Sequence, residues 1–196
     1  MKNRILSLFA AAAVVLSLSA CKPSETVQET QTSKTVETDT TEIHYITDWS
    51  IDELVQNIEL NGKSYSMPFT VEDLGEGYTI GEKISLSKGN YGYNLYYNDT
   101  DFALITTDKS NTDVKKDNII SITVTDTEDI DFNVGDIEFG DTLNDIYSRY
   151  GKPSVESKNK VACSYLFENN NKLRDNTITL FFDNEKLIGI SIQYEK

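Results

Sequence analysis

The spacing of apolar residues divides this chain into three stretches. Residues 5–18 form an apolar run interrupted only by Ser7 and Ser17, whereas Lys22 to Asp48 is dominated by Thr, Glu, Gln and Ser. From Trp49 onward apolar positions recur at helical or alternating spacing, as in a folded α+β domain. Ser50-Ile51-Asp52-Glu53 reads as a capping box, and Ile51, Leu54, Val55 and Ile58 share one helical face. This predicts a short helix ending near Ile58. Ile58-Glu59-Leu60 and Lys63-Ser64-Tyr65-Ser66-Met67 flank Asn61-Gly62, a signal for a type I′ hairpin, whose two central residues need positive φ. Pro68 ends the second strand, because it has no amide hydrogen for a ladder.

Later segments echo one another. Thr70-Val71-Glu72-Asp73-Leu74, with Tyr78 behind it, recurs 72 positions on as Thr142-Leu143-Asn144-Asp145-Ile146, with Tyr150 behind it. Both open with Thr-x-x-Asp, in which the hydroxyl caps a free amide of the first turn. Tyr93-Asn94-Leu95-Tyr96 matches Tyr165-Leu166-Phe167-Glu168 at the same offset, and Ile120–Val124 matches Ile188–Ile192 at an offset of 68. The polar loop Asp108–Asp117 absorbs the difference. Each unit reads as a helix followed by three strands that alternate apolar and polar, as a half-buried antiparallel sheet does. The expected architecture is α+β, with two consecutive modules at 49–131 and 132–196 derived by internal duplication.

Composition narrows the chemistry. The chain of 196 residues carries a formal charge of −14, with 2 cysteines and 1 histidine. Such acidity excludes a nucleic-acid partner, which needs a basic face. Two cysteines cannot build a disulfide framework or a four-cysteine zinc site. One histidine removes most histidine-dependent catalysis.

The first twenty residues stand apart from the fold. Lys2 and Arg4 precede the apolar run Ile5–Leu18, which is 14 residues long. A membrane-spanning helix needs about 20, so residues 1–20 read as a secretory signal peptide. Leu18-Ser19-Ala20-Cys21 resembles the lipobox of bacterial lipoproteins at all four positions. The resemblance implies cleavage before Cys21, a diacylglyceryl thioether on its sulfur, and a mature protein anchored in the cell membrane and facing outside the cytoplasm. Loss of Lys2 and Arg4 takes the charge from −14 to −16. Residues 21–48 hold too few apolar side chains to offset their ordering entropy, and read as a lipidated disordered stalk.

Phe139-Gly140-Asp141-Thr142, Ile146 and Tyr150-Gly151-Lys152-Pro153 resemble the helix-hairpin unit of the beta-lactamase-inhibitor-protein-like fold, which includes the small outer-membrane assembly lipoproteins of the SmpA/OmlA type. The resemblance covers about 60 residues well and the first module loosely, since Gly75 cuts that helix short and no Gly-x-Pro follows Tyr78. It implies a tandem α+β domain whose sheet binds a partner protein.

Other motifs are weaker. Gly62-Lys63-Ser64 lacks the upstream glycine of a phosphate-binding loop, since position 57 is Asn. Gly75-Glu76-Gly77 with Gly81 has the wrong spacing for a dinucleotide fingerprint. Asp129-Ile130-Asp131-Phe132-Asn133 mimics the start of a calcium loop, but Val134 and Gly140 stand where that loop needs Gly and Glu. Its alternation reads instead as an amphipathic linking strand. Cys163 sits among apolar neighbours as a core thiol, and His44 falls in the stalk as a solvated bystander. Alternation places Tyr91, Tyr93 and Tyr97 on one strand face, either packed under a helix or offered as a binding face, since tyrosine gives rigid amphipathic contact area. The expectation is therefore a non-catalytic, membrane-anchored lipoprotein without cofactor or metal. It binds a protein or envelope component through its sheet; a hydrolase of envelope polymers with a carboxylate pair is the alternative.

Overall fold

Alternating apolar residues from both ends of the domain meet in one sheet. The computed structural model describes residues 44–86, 90–109, 113–169 and 174–196. Residues 1–43, which include the expected signal peptide, Cys21 and most of the expected stalk, lie outside the described residues. The described elements run α1 (Ile51–Val55), β1 (Ile58–Leu60), β2 (Lys63–Tyr65), α2 (Val71–Leu74), β3 (Tyr78–Ser85), β4 (Tyr91–Tyr97), β5 (Thr100–Thr107), a 3₁₀ turn (Val114–Lys116) and β6 (Ile119–Thr125). They continue with β7 (Phe132–Val134), β8 (Ile137–Glu138), α3 (Leu143–Tyr150), β9 (Val155–Glu156), β10 (Ala162–Phe167), β11 (Asn176–Asp183) and β12 (Lys186–Gln193). The class is α+β and the sheets are antiparallel.

Eight strands form the large sheet in the order β3-β4-β5-β6-β12-β11-β10-β9, and four form a small sheet in the order β2-β1-β7-β8. Each order reads as a mirror of chain order about its centre. At the centre of the large sheet Thr123 pairs with Ser191, and the two hydroxyls lie 2.7 Å apart. These are the residues that the offset of 68 equates. At the centre of the small sheet Glu59 pairs with Asn133.

Several local expectations need correction. The first helix stops at Val55, and Ser50 caps it through the amide of Asp52 rather than through a reciprocal box with Glu53. Each half of the large sheet has four strands, not three, because β3 and β9 were not legible. The hairpin β1–β2 does not stay within the first segment, since β1 pairs with β7 from beyond the proposed boundary at 131/132. Following the ladders outward from Thr123 and Ser191 makes Leu95, not Tyr93, the counterpart of Tyr165. The echo at 72 is thus two residues out of register there. A two-residue slip keeps every side chain on its face, so alternation alone could not reveal it.

The core lies on one face of the large sheet. Leu95, Ala103, Val124, Ile190, Leu180 and Cys163 form one row across six strands, and Tyr93, Ile105, Ile122, Ile192, Ile178 and Tyr165 form the next. All twelve are buried. Ile51, Leu54 and Val55 of α1, Val71 and Leu74 of α2, Leu143 and Ile146 of α3, and Ile58, Leu60, Phe132 and Val134 of the small sheet pack into the same cluster. Each fully buried aliphatic side chain contributes about 1.5–3 kcal/mol, so this face dominates the stability.

The helices start where the sequence places them. Thr70 and Thr142 each accept a hydrogen bond from the amide three residues on, at 3.2 Å, while Asp73 and Asp145 accept from the threonine amides at 2.8 and 3.0 Å. The threonine hydroxyls also donate to these carboxyls, at 2.8 and 2.6 Å; the Thr70 amide and then its hydroxyl hold Asp73, and the Thr142 hydroxyl and then its amide hold Asp145, below the usual carboxylate range. Asn61 and Gly62 both have positive φ, as the hairpin signal requires. Asn98-Asp99 and Asn184-Glu185 adopt the same handedness without glycine.

Candidate functional site

Three features bear on function: the tyrosines of β4, the face of the large sheet opposite the core, and an acidic groove beside the small sheet.

Tyr91, Tyr93 and Tyr97 do share one face, but it is the core face. Tyr93 is buried, and Tyr97 is half-buried with its ring 4.7 Å from that of Tyr78. Tyr91 alone is well exposed, at 49%, with the Lys83 ammonium 3.8 Å from its ring centre. Tyr93 and Tyr97 pack against the core, which leaves Tyr91 as the exposed member of the three. Alternation identified their shared face; only the helices decide which face is inside.

The opposite face has a polar centre. Asn94, Leu104, Thr123, Ser191, Thr179 and Ser164 line up across six strands. Thr123 bonds Ser191, and Ser164 bonds Thr179 at 2.8 Å, so these four buried hydroxyls are satisfied in pairs. Ala162, Leu166 and Phe181 are also buried on this face but stand outside the core cluster. Access is concentrated on the first half, where Asn94, Tyr96, Leu104 and Thr106 are half-exposed and Thr79 is exposed. The Tyr96 ring lies over Gly81, where a β-carbon would come within 2.8 Å of it. Position 81 therefore admits only glycine while Tyr96 keeps this pose.

The acidic groove has a volume of about 590 Å³. Asp126, Glu128, Asp129, Asp131 and Glu138 line it, with Asn61, Asn133, Phe132 and Phe139. Its walls arise from the linking strand, as the alternation anticipates: Ile130, Phe132 and Val134 are buried at 5%, 2% and 0% exposure, which turns the intervening polar side chains outward. Asn61 fixes the rim. Its amide oxygen accepts from the Asp131 amide at 3.0 Å, and its amide nitrogen donates to the Tyr78 hydroxyl at 3.1 Å. Asp129 accepts from Thr100 at 3.4 Å. Among the described residues no three His, Cys, Asp or Glu side chains converge as a metal cage would need.

Cys163 lies in the inner row at 2% exposure, and burial pushes its thiol up to about 12. A thiol held in that state is a poor nucleophile. His44 is exposed.

Sequence reasoning missed a second aromatic group. Trp49 packs its ring 5.0 Å from Tyr150, 5.5 Å from Tyr165 and 4.7 Å from Phe167. Its indole N–H donates to the Tyr150 carbonyl at 3.2 Å, and the Tyr165 hydroxyl donates to the Gly151 carbonyl at 2.9 Å. Burial raises the Tyr165 and Tyr150 hydroxyls, and in Tyr150 a bond to Asp136 adds to it. Arg149 ties the same corner to the β7–β8 turn through Asp136 and to the β8–α3 connection through Asp141. The one sequence signal for this group was the position of Trp49 at the start of the folded pattern.

No protein-family model matches this chain, and no curated protein or solved structure matches it significantly. Among the described residues no helix is long and apolar enough to cross a membrane.

Proposed function

We propose that this chain is a lipid-anchored, non-catalytic lipoprotein of the cell envelope that binds a partner protein through the large sheet. Cys21 carries the lipid, residues 1–20 are removed, and the segment from Cys21 toward His44 holds the domain off the membrane. Two or three acyl chains suffice for stable anchoring, since each buried methylene contributes about 0.8 kcal/mol. The domain is a duplicated α+β unit of the beta-lactamase-inhibitor-protein-like kind, joined through β6 and β12; the mirrored strand order and the Thr123–Ser191 pair support that reading.

One observation carries the binding role. The helices and the small sheet share the core with one face of the large sheet, which leaves Asn94, Tyr96, Leu104 and Thr106 half-exposed on the other. This replaces Tyr91, Tyr93 and Tyr97 as the partner face. A photocrosslinker at Tyr96 should capture a partner on intact cells, and one at buried Ile105 should not; equal capture at both positions would refute this face.

The acidic groove favours a second reading, a carboxylate hydrolase. A general acid and base must stand within reach of one scissile bond. Asp129→Asn and Asp131→Asn separate the two readings: loss of polymer cleavage supports the enzyme, whereas retained partner capture with both changes supports binding.

A further inference from the structure

Tyr45, Ile46 and Trp49 hold the segment from His44 to Trp49 to the second half of the large sheet, although the chain then runs on into α1. The Tyr45 hydroxyl donates to Asp175 at 2.8 Å, and the Ile46 amide donates to the Leu166 carbonyl at 2.8 Å. That carbonyl lies on the outer edge of β10. The two-residue strand β9 pairs only with Cys163 and Ser164 of β10, so it stops short of Leu166. The Leu166 amide is already taken by the Ser154 hydroxyl at 3.0 Å. Ile46 thus closes an edge carbonyl of β10 that β9 does not reach.

The attachment changes character at Trp49. Upstream, His44, Thr47 and Asp48 are exposed; Tyr45 and Ile46 are half-buried, as Trp49 is, and Ile46 touches the margin of the core cluster without a ring partner. Trp49 packs on three aromatic rings, and Ser50 behind it caps α1, whose Ile51 is 3% exposed. Segments with little buried apolar area and exposed hydrogen bonds open at far lower free energy than the core beside them.

We propose that residues 44–48 form a latch that opens as far as Trp49 while the domain stays folded, with Trp49 as the pin that stops the opening. Opening bares the Leu166 carbonyl at the edge of β10. Its service as a tether device rests on the lipid-anchor reading; the opening itself does not. With the anchor in place, each opening adds five residues to the tether, about 17 Å of reach at full extension.

The test uses the full chain in detergent. Trp49 is the only tryptophan of the 196 residues, so its emission reports the pin alone. In the unaltered protein, the amides of 45–48 should exchange with deuterium much faster than those of α1. Ile46→Pro, which removes the donor to Leu166, should speed that exchange about tenfold, and Tyr45→Phe by a smaller factor. Neither should move the Trp49 emission or the urea midpoint. Exchange of 45–48 no faster than that of α1 overturns the latch. So does an Ile46→Pro or Tyr45→Phe protein in which Trp49 emission and the midpoint shift together, or which does not fold, because the segment is then part of the core. Membrane fractionation of Cys21→Ala reads the anchor separately, so failure of one reading is not mistaken for failure of the other.

Discussion

The hydroxyl pair at the centre of the large sheet gives the sharpest energetic test of this architecture. Thr123 and Ser191 are 6% and 4% exposed, and their oxygens lie 2.7 Å apart across the β6–β12 ladder. Thr123→Val keeps the shape of the side chain and deletes its hydroxyl, leaving Ser191 buried without that partner. An unsatisfied buried hydroxyl costs about 1–3 kcal/mol. Ser191→Ala strands Thr123 in the same way. The double variant removes both oxygens and should lie close to the unaltered protein, because two apolar groups then meet where two hydroxyls did. The expected pattern is two destabilised single variants, each by about 1–2 kcal/mol, and a coupling energy about twice that of one single variant in the double-mutant cycle, because the double variant loses almost nothing. Urea unfolding followed by far-ultraviolet circular dichroism measures all four proteins. A domain of this length should lose roughly 2–4 °C of melting temperature per kcal/mol. Additive single effects with no coupling would falsify the pairing of Thr123 with Ser191, and with it the β6–β12 junction that joins the two halves.

Other outcomes follow from the same geometry. Cys21→Ala should move the protein from the membrane pellet to the soluble fraction; a pelleted variant removes the anchor. Cys163 should resist Ellman's reagent in the folded state and react fully in denaturant, and fast native labelling would contradict its place in the inner row. Because its folded thiol is raised toward 12, its contribution is complete below its unfolded value and fades as pH rises beyond about 8.5. Asp73 and Asp145 behave in the opposite sense: their carboxyls are lowered by Thr70 and Thr142, so their contribution is present above about pH 4 and is lost on acidification. The alanine variants of both threonines should flatten that acid limb while costing about 1 kcal/mol each at neutral pH, and an unchanged acid limb would show that the caps do not drive it.

Local rules carried a definite part of this protein. Thr70, Asp73, Thr142 and Asp145 set two helix starts, and Asn61-Gly62 set a hairpin, because caps and turns are satisfied within four residues. The alternation of Ile130, Phe132 and Val134 gave the strand β7, with its apolar side chains buried. The signal-peptide and lipid-anchor reading of Lys2 to Cys21 rests on composition and order alone and lies outside the described residues. Turns built on Asn98-Asp99 and Asn184-Glu185 were silent, since positive φ in residues other than glycine leaves little trace in sequence. Long-range assembly was not legible. That β1 would seek β7, that β6 would meet β12 at Thr123 and Ser191, and that the tyrosines of β4 would face inward all depend on which apolar surfaces find each other. Alternation marks two faces of a strand and leaves both eligible for burial. The stacking of the helices and the small sheet on one of them decided that Tyr93 belongs to the core and Tyr96 to the other face.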